Sequence, residues 1–194
     1  MLPRIGSSKV VSTWIFVTLC ASIVAMLDGG WLERWTALEP DQIWRGQIWR
    51  VGTWALIELG PMALVLTCVS IYKFGGELAP RWGERRLRRF ALQIIIGAGV
   101  VTALVALLSD HAWQMRRCGG WAVSDALVIA WARQYPSATL RLYGLIELSG
   151  RQLIGFTVGV TVLIAISTSP FVMAPELVAC FVAAMYPRDW LSRR

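Results

Sequence analysis

Residues 75–90 read GGELAPRWGERRLRRF, from Gly75 to Phe90: a Gly-Gly pair, two glutamates, and the arginines Arg81, Arg85, Arg86, Arg88 and Arg89. Two adjacent glycines contribute no side chain to hold a regular element, so Gly75-Gly76 reads as a turn. Apolar stretches long enough to cross a bilayer flank the segment on both sides. A basic cluster between two such spans marks a connection that stays on the side from which the chain inserts. The chain is read, on this segment first, as an integral membrane protein.

Bulk composition agrees. Of 194 residues 56% are hydrophobic and only 16% charged, and the mean hydropathy is +0.56. A soluble domain of this size would leave large apolar patches in water. The net charge of +7 does not indicate nucleic acid, because the arginines sit at span ends rather than along one face. Basic loops beside anionic lipid account for it. Cys20, Cys68, Cys118 and Cys180 fall in or at the ends of apolar runs, with no CxxC spacing, and read as small packing residues. Neither a metal nor another cofactor is implied.

Six apolar runs of membrane-spanning character lie at about 10–27, 54–74, 90–108, 119–132, 153–169 and 171–187. The first is longer than a signal-peptide core and lacks a small-residue cleavage site before Asp28, so it reads as a retained helix. Alternating the loops places fourteen of the 19 Lys and Arg on the side of both termini, and five (Arg34, Arg45, Arg50, Arg116 and Arg117) on the other. Both termini are therefore expected to face the cytoplasm, or the matrix of an organelle, with a bacterial inner membrane the simplest fit. The expected architecture is one all-α, six-helix bundle over residues 1–194.

Two spans carry carboxylates: Asp125, beside Ser124 in the short fourth, and Glu176, after Pro175 in the sixth. A charge facing hydrocarbon is costly, so both should point into the bundle or a wet cavity, where Arg50, Arg116 or Arg117 could neutralise them. Gly155 with Gly159, and Ala179 with Ala183, make small-xxx-small steps that read as helix packing. Glu58 reads as an interfacial charge near the surface. The connection 28–52 holds Trp31, Trp35, Trp44 and Trp49 among charges, a composition that lies at the headgroup level. A binding loop is the sharper alternative.

The order of these features resembles the rhomboid-like superfamily of rhomboids and Derlins. Trp49-Arg50 followed by Thr53 resembles its first-loop Trp-Arg signature. Gly75-Gly76, then Trp82-Gly83 and the arginine run, resemble the end of its second span, although Ala79 stands in the usual acidic slot. Gly119-Gly120 resembles the opening of the helix that carries the protease nucleophile, and Trp131–Leu153 the loop in which a Pro precedes a short interfacial run.

The resemblance implies a fold without its chemistry. Rhomboid proteases place a serine in Gly-x-Ser-Gly near the start of span four and a histidine in span six. With Gly120 on the first glycine, Ala122 stands at the nucleophile, Val123 at the second glycine, and Glu176 near the base. The oxyanion-side positions of span two read as Ala63 and Thr67. A displaced pair, Ser124 with His111 (the only histidine), is the alternative, though Ser124 lies about 200° round a helix from the expected slot. Otherwise Ser124 bonds its own backbone. Asp125, one turn beyond Ala122, could meet Glu176 as a structural network or, less simply, as a paired-acid hydrolase or a transport path. The expected function is a catalytically inactive scaffold that binds or positions other transmembrane proteins among membrane lipids. A protease with shifted residues is the alternative.

Overall fold

A computed structural model describes residues 8–142 and 146–186 of the chain. Helix α1 (Lys9–Leu27) is apolar all round and mostly exposed, as a lipid-facing helix is. Its buried positions, Val11, Thr18, Ser22 and Ala25, recur at three-, four- and seven-residue steps and so share one stripe. Three short helices follow: α2 (Trp31–Thr36), α3 (Pro40–Trp44) and α4 (Arg50–Thr53). The Asp28 carboxylate accepts from the backbone N–H groups of Gly30, Trp31 and Leu32, which satisfies the free amides where α2 begins. Proline at the first position of α3 sets its start in the same way.

The second apolar stretch is built differently from the sequence expectation. Residues Trp54–Leu56 form a 3-10 turn, and the helix proper begins only at Pro61. From there α5 (Pro61–Ser70), a π-helical segment (Ile71–Gly75) and α6 (Gly76–Trp82) run on without a break. Gly75 and Gly76 are thus helical, each with φ −63, and the expected turn at this pair is not there. Gly75 packs against α1, where a Cβ would make an ordinary contact with Val11 at 3.6 Å, and a helix supported by such a neighbour runs on through the pair. The reversal falls instead at Gly83, whose φ of +79 is open to glycine at little cost.

The arginine run is not a loop either. Helix α7 (Glu84–Val105) starts with it, directing Arg85, Arg88 and Arg89 outward while Leu87 and Phe90 go into the core. Further along, Ile94, Ile95, Ala98, Gly99, Thr102 and Ala103 continue the buried stripe at helical spacing. After a 3-10 turn (Ala106–Leu108) and the short α8 (Asp110–Trp113), helix α9 (Trp121–Gln134) occupies the centre. Nine of its 14 residues are buried. Helices α10 (Gly150–Ser167) and α11 (Ala174–Met185) complete the bundle, and α9 makes its most extensive packing against α11 and α10.

Between α9 and α10 the chain forms an antiparallel hairpin, β1 (Thr139–Leu142) with β2 (Ile146–Ser149). The hairpin is a small local element in a mostly helical membrane protein, which agrees with the all-α expectation. Its sequence cause is an alternation of period two, and the backbone register sets Leu140 opposite Leu148 and Arg141 opposite Glu147.

The molecule is mostly helical. Among the described residues, four helical stretches are long and apolar enough to cross a membrane: Lys9–Leu27, Pro61–Trp82, Glu84–Leu108 and Gly150–Ser167. Helices α9 and α11 lie where the two shorter spans were expected. Arg4, Arg188, Arg193 and Arg194 lie outside the described residues.

Candidate functional site

The Trp-Arg pair organises the first connection. Arg50 is 4% exposed. Its guanidinium donates to the carbonyls of Ala37 at 2.8 Å and Arg34 at 2.6 Å and to Gln47 Oε1 at 2.7 Å, with the Glu39 carboxylate 3.5 Å away. A fork of five N–H donors suits several acceptors at once. Thr53 donates its hydroxyl to Thr36 O, and Trp49 donates its indole N–H to Trp35 O while stacking on that ring. The four tryptophans of the segment stay exposed, as residues at a headgroup boundary do. Glu39 also pairs with Arg116, and Leu38 forms an antiparallel backbone bridge with Arg117. The first connection is therefore pinned onto the loop that leads into α9.

That loop ends at Gly119-Gly120, where the closest backbone approach of the site occurs. Gly119 has φ +136, and a Cβ on Gly120 would lie 2.8 Å from Thr67 Cγ2. What this closeness admits is the Glu58 carboxylate. Its Oε1 accepts from the Gly120 backbone N–H at 2.7 Å and from the Thr67 hydroxyl at 2.6 Å. The Glu58 backbone N–H donates to Ser22 Oγ at 2.9 Å, which ties α1 to the same point. Glu58 is 2% exposed, so the expectation of a surface charge is corrected. Its negative charge is held by two donors and by the positive end of α9.

The residues at the resemblance's dyad positions are disposed as follows. Ala122 is fully buried and carries no hydroxyl. Glu176, 6% exposed, accepts from Arg117 at 2.6 Å through Oε1, so one of the arginines expected to neutralise the acids does so. Ser124 is buried, and its hydroxyl has no hydrogen-bond partner among the described residues; the expected bond to its own backbone is not formed. The His111 side chain lies outside the described residues. Asp125 accepts from Thr161 Oγ1 at 3.0 Å and has the Cys180 thiol 3.9 Å away.

Asp125 and Glu176 share one cavity of ≈ 580 Å³. It lies between α9, α10 and the start of α11, with Arg117 lining it and paired to Glu176. Its rim is apolar and exposed at Leu59, Trp121, Phe156 and Ile164. The small-residue steps divide at this wall. Ala179 and Ala183 are buried in the bundle as expected, whereas Gly155 and Gly159 face outward, with no neighbour within 4 Å of a Cβ placed on either. The reading of that pair as internal helix packing is corrected.

Cys118, at the head of the loop, is half-buried. Burial first, then the carboxylates of Glu33, Glu58 and Glu39, push its thiol up to about 12 against the opposing effect of Arg116. All four cysteines are free thiols. Reading the sequence named Glu58 but placed it at the surface, and it did not single out Ser22, Glu39 or Thr161, which contact Glu58, Arg50 and Asp125 respectively. The available signal for Glu58 was its position three residues before Pro61, ahead of the helix start and not within it.

Residues 9–190 match the model of a family described as "Eukaryotic integral membrane protein (DUF1751)". No curated protein matches the chain.

Proposed function

The chain belongs to the eukaryotic integral membrane family DUF1751, and from that premise we propose that it is a non-catalytic, rhomboid-like membrane protein that binds or positions transmembrane segments of other proteins. The proposal takes residues 9–190 as one bundle of six helices, two of them short, with both termini on the more basic side. A eukaryotic family does not fit the bacterial inner membrane expected from the arginine bias alone. An organelle membrane, with the basic side in the cytosol or matrix, accords with both.

The observation that carries the non-catalytic reading is the Glu58 carboxylate. Acyl-transfer catalysis needs free N–H and side-chain donors aimed at a developing oxyanion. Here Thr67, at an oxyanion-side position of the resemblance, gives its hydroxyl to Glu58, as does the Gly120 amide at the head of α9. An anion already seated there disfavours a second. At the base position an acid is locked to Arg117, and Ala122 has nothing to attack with.

The binding reading rests on the cavity beside α10. Its exposed apolar rim faces the bilayer region, and Gly155 with Gly159 leaves an adjoining outward strip where another helix can approach closely. Photocrosslinkers at Phe156 and Val160, compared with one at Val24 on α1, test it in native membranes. Capture of a partner helix from α10 alone is the expected result, and equal or no capture from all three positions removes the reading.

The shifted protease draws only on the unpartnered Ser124 hydroxyl. Fluorophosphonate labelling that disappears in Ser124→Ala would restore an enzyme and displace the scaffold.

A further inference from the structure

A second cavity, of ≈ 440 Å³, lies away from these residues, between α1 and α7. Its walls are Trp14 and Val17 from α1 and Leu92 and Ile95 from α7, with Thr13 between them. Lys9 and Arg88 stand together at one end. From there the groove runs along α1 to Val17 and along α7 to Ile95, about 10–12 Å at helical rise. Both exposed cations lack an ion-pair partner among the described residues. The one acid at the mouth, Glu84, accepts from the Ser8 hydroxyl at 2.9 Å, and Arg85 and Arg89 add exposed positive charge on the same first turns of α7.

We propose that this groove is a binding site for an anionic phospholipid, its phosphate held by Lys9 and Arg88 and an acyl chain laid between α1 and α7. The order of chemistry along the groove is that of the lipid: cations at the membrane-surface end, then mainly apolar side chains, with Thr13 among them, for the rest of its length. The excess of cations over carboxylates at the mouth selects anionic over zwitterionic headgroups, each cation near a charged membrane surface favouring that choice severalfold. The depth reached is about a third of a hydrocarbon core of roughly 30 Å, so the groove holds the upper part of a chain whose remainder lies in the bilayer. A soluble phosphate compound would use the cations but not the groove. The site is independent of the non-catalytic reading, since it shares no residue with the Glu58 or Glu176 clusters.

The test is lipid retention by native mass spectrometry. The full chain is reconstituted with phosphatidylcholine and a minority of phosphatidylserine, then released into mild detergent. One phosphatidylserine retained in preference to phosphatidylcholine is expected. Lys9→Gln/Arg88→Gln should reduce that retention about tenfold or more. Thr13→Trp, which blocks the groove and keeps the charges, should also abolish it, while Arg45→Gln in the first connection should leave it intact. Equal retention of the two lipids by the native chain overturns the proposal, and this arm decides even if the double variant does not fold. So does retention unaffected by Thr13→Trp, or lost equally in Arg45→Gln, either of which means diffuse charge attraction. Displacement of bound lipid by free inorganic phosphate would assign the cations to a soluble anion and overturn it too. A dimer that Thr13→Trp dissociates without changing lipid retention would give the groove to a second copy.

Discussion

Arg50 shows how one side chain can hold a whole connection. It replaces water for the carbonyls of Arg34 and Ala37 in a buried position, so truncation leaves both acceptors and the Glu39 charge unsatisfied. Arg50→Ala is expected to cost about 3 kcal/mol or more, and Arg50→Lys to recover little of it, because one ammonium cannot reach acceptors spread across a planar fork. Denaturation by SDS in mixed micelles measures both. Gly120→Ala is expected to destabilise by about 2 kcal/mol in the same assay, since its methyl group would meet Thr67 Cγ2 at 2.8 Å and crowd Glu58. Cys118 offers a chemical check on the loop between them. With its thiol pushed up to about 12, the reactive thiolate is about one part in 10⁴ at pH 8, against roughly one in three or four for an unperturbed cysteine. Alkylation of the folded protein at Cys118 should therefore be slower than that of a free thiol by three orders of magnitude, rise tenfold per pH unit above pH 8, and become fast on unfolding. Arg50 was legible beforehand because the Trp-Arg pair is local. Glu58 was not, because its burial depends on Gly120, 62 residues away in the chain, and no local pattern signals a partner at that separation.

The glycines of the Pro61–Trp82 stretch behave by the same logic. A Gly-Gly pair weakens a helix but does not end it when a neighbour fills the space, and Val11 of α1 does so at Gly75. The break comes where backbone geometry demands glycine, at Gly83. Nothing lies within 4 Å of a Cβ placed there, so Gly83→Ala is disfavoured by backbone strain alone. A loss of about 2 kcal/mol is expected, readable as a lower midpoint in thermal unfolding in detergent. The GxxxG step of α10 was misassigned for the converse reason. Spacing places two glycines on one face, but only the tertiary arrangement says which face, and here it is the outer one. Gly155→Leu should accordingly change the stability of the isolated protein by less than about 0.5 kcal/mol. It should still reduce crosslinking from Phe156 to a partner helix, if that strip admits one. A large loss of stability would place another element of this chain on the strip and remove it as a docking face. The hairpin, by contrast, was legible in the alternation of Leu140, Leu142, Ile146 and Leu148 with polar neighbours.

Apolar length alone finds four spans among the described residues, and the positions of α9 and α11 decide whether the number is six. Helix α9 has 14 residues and α11 has 12, about 21 and 18 Å at 1.5 Å per residue, against a hydrocarbon core of roughly 30 Å. For α9 the shortfall carries little penalty, because nine of its 14 residues are buried against other parts of the protein. Helix α11 packs against α9 and α7 along Ala179, Cys180 and Ala183, and its outer face shows lipid only at residues such as Phe181 and Met185. A short, enclosed helix can therefore cross where a short, exposed one could not, and local thinning of the bilayer would serve the remainder. Six crossings return both ends of the chain to the side of Arg85, Arg86, Arg88 and Arg89; five separate them. Reporters fused in turn to the N-terminus and the C-terminus, with maleimide access to cysteines placed at Ser137 in the loop after α9 and at Gln114 before it, settle the parity. The expected outcome is both termini and position 137 on the basic side, and position 114 opposite. Termini on opposite faces would mean that α9 or α11 re-enters without crossing, which would move the Glu176–Arg117 pair to a different depth and remove the proposed rhomboid-like reading.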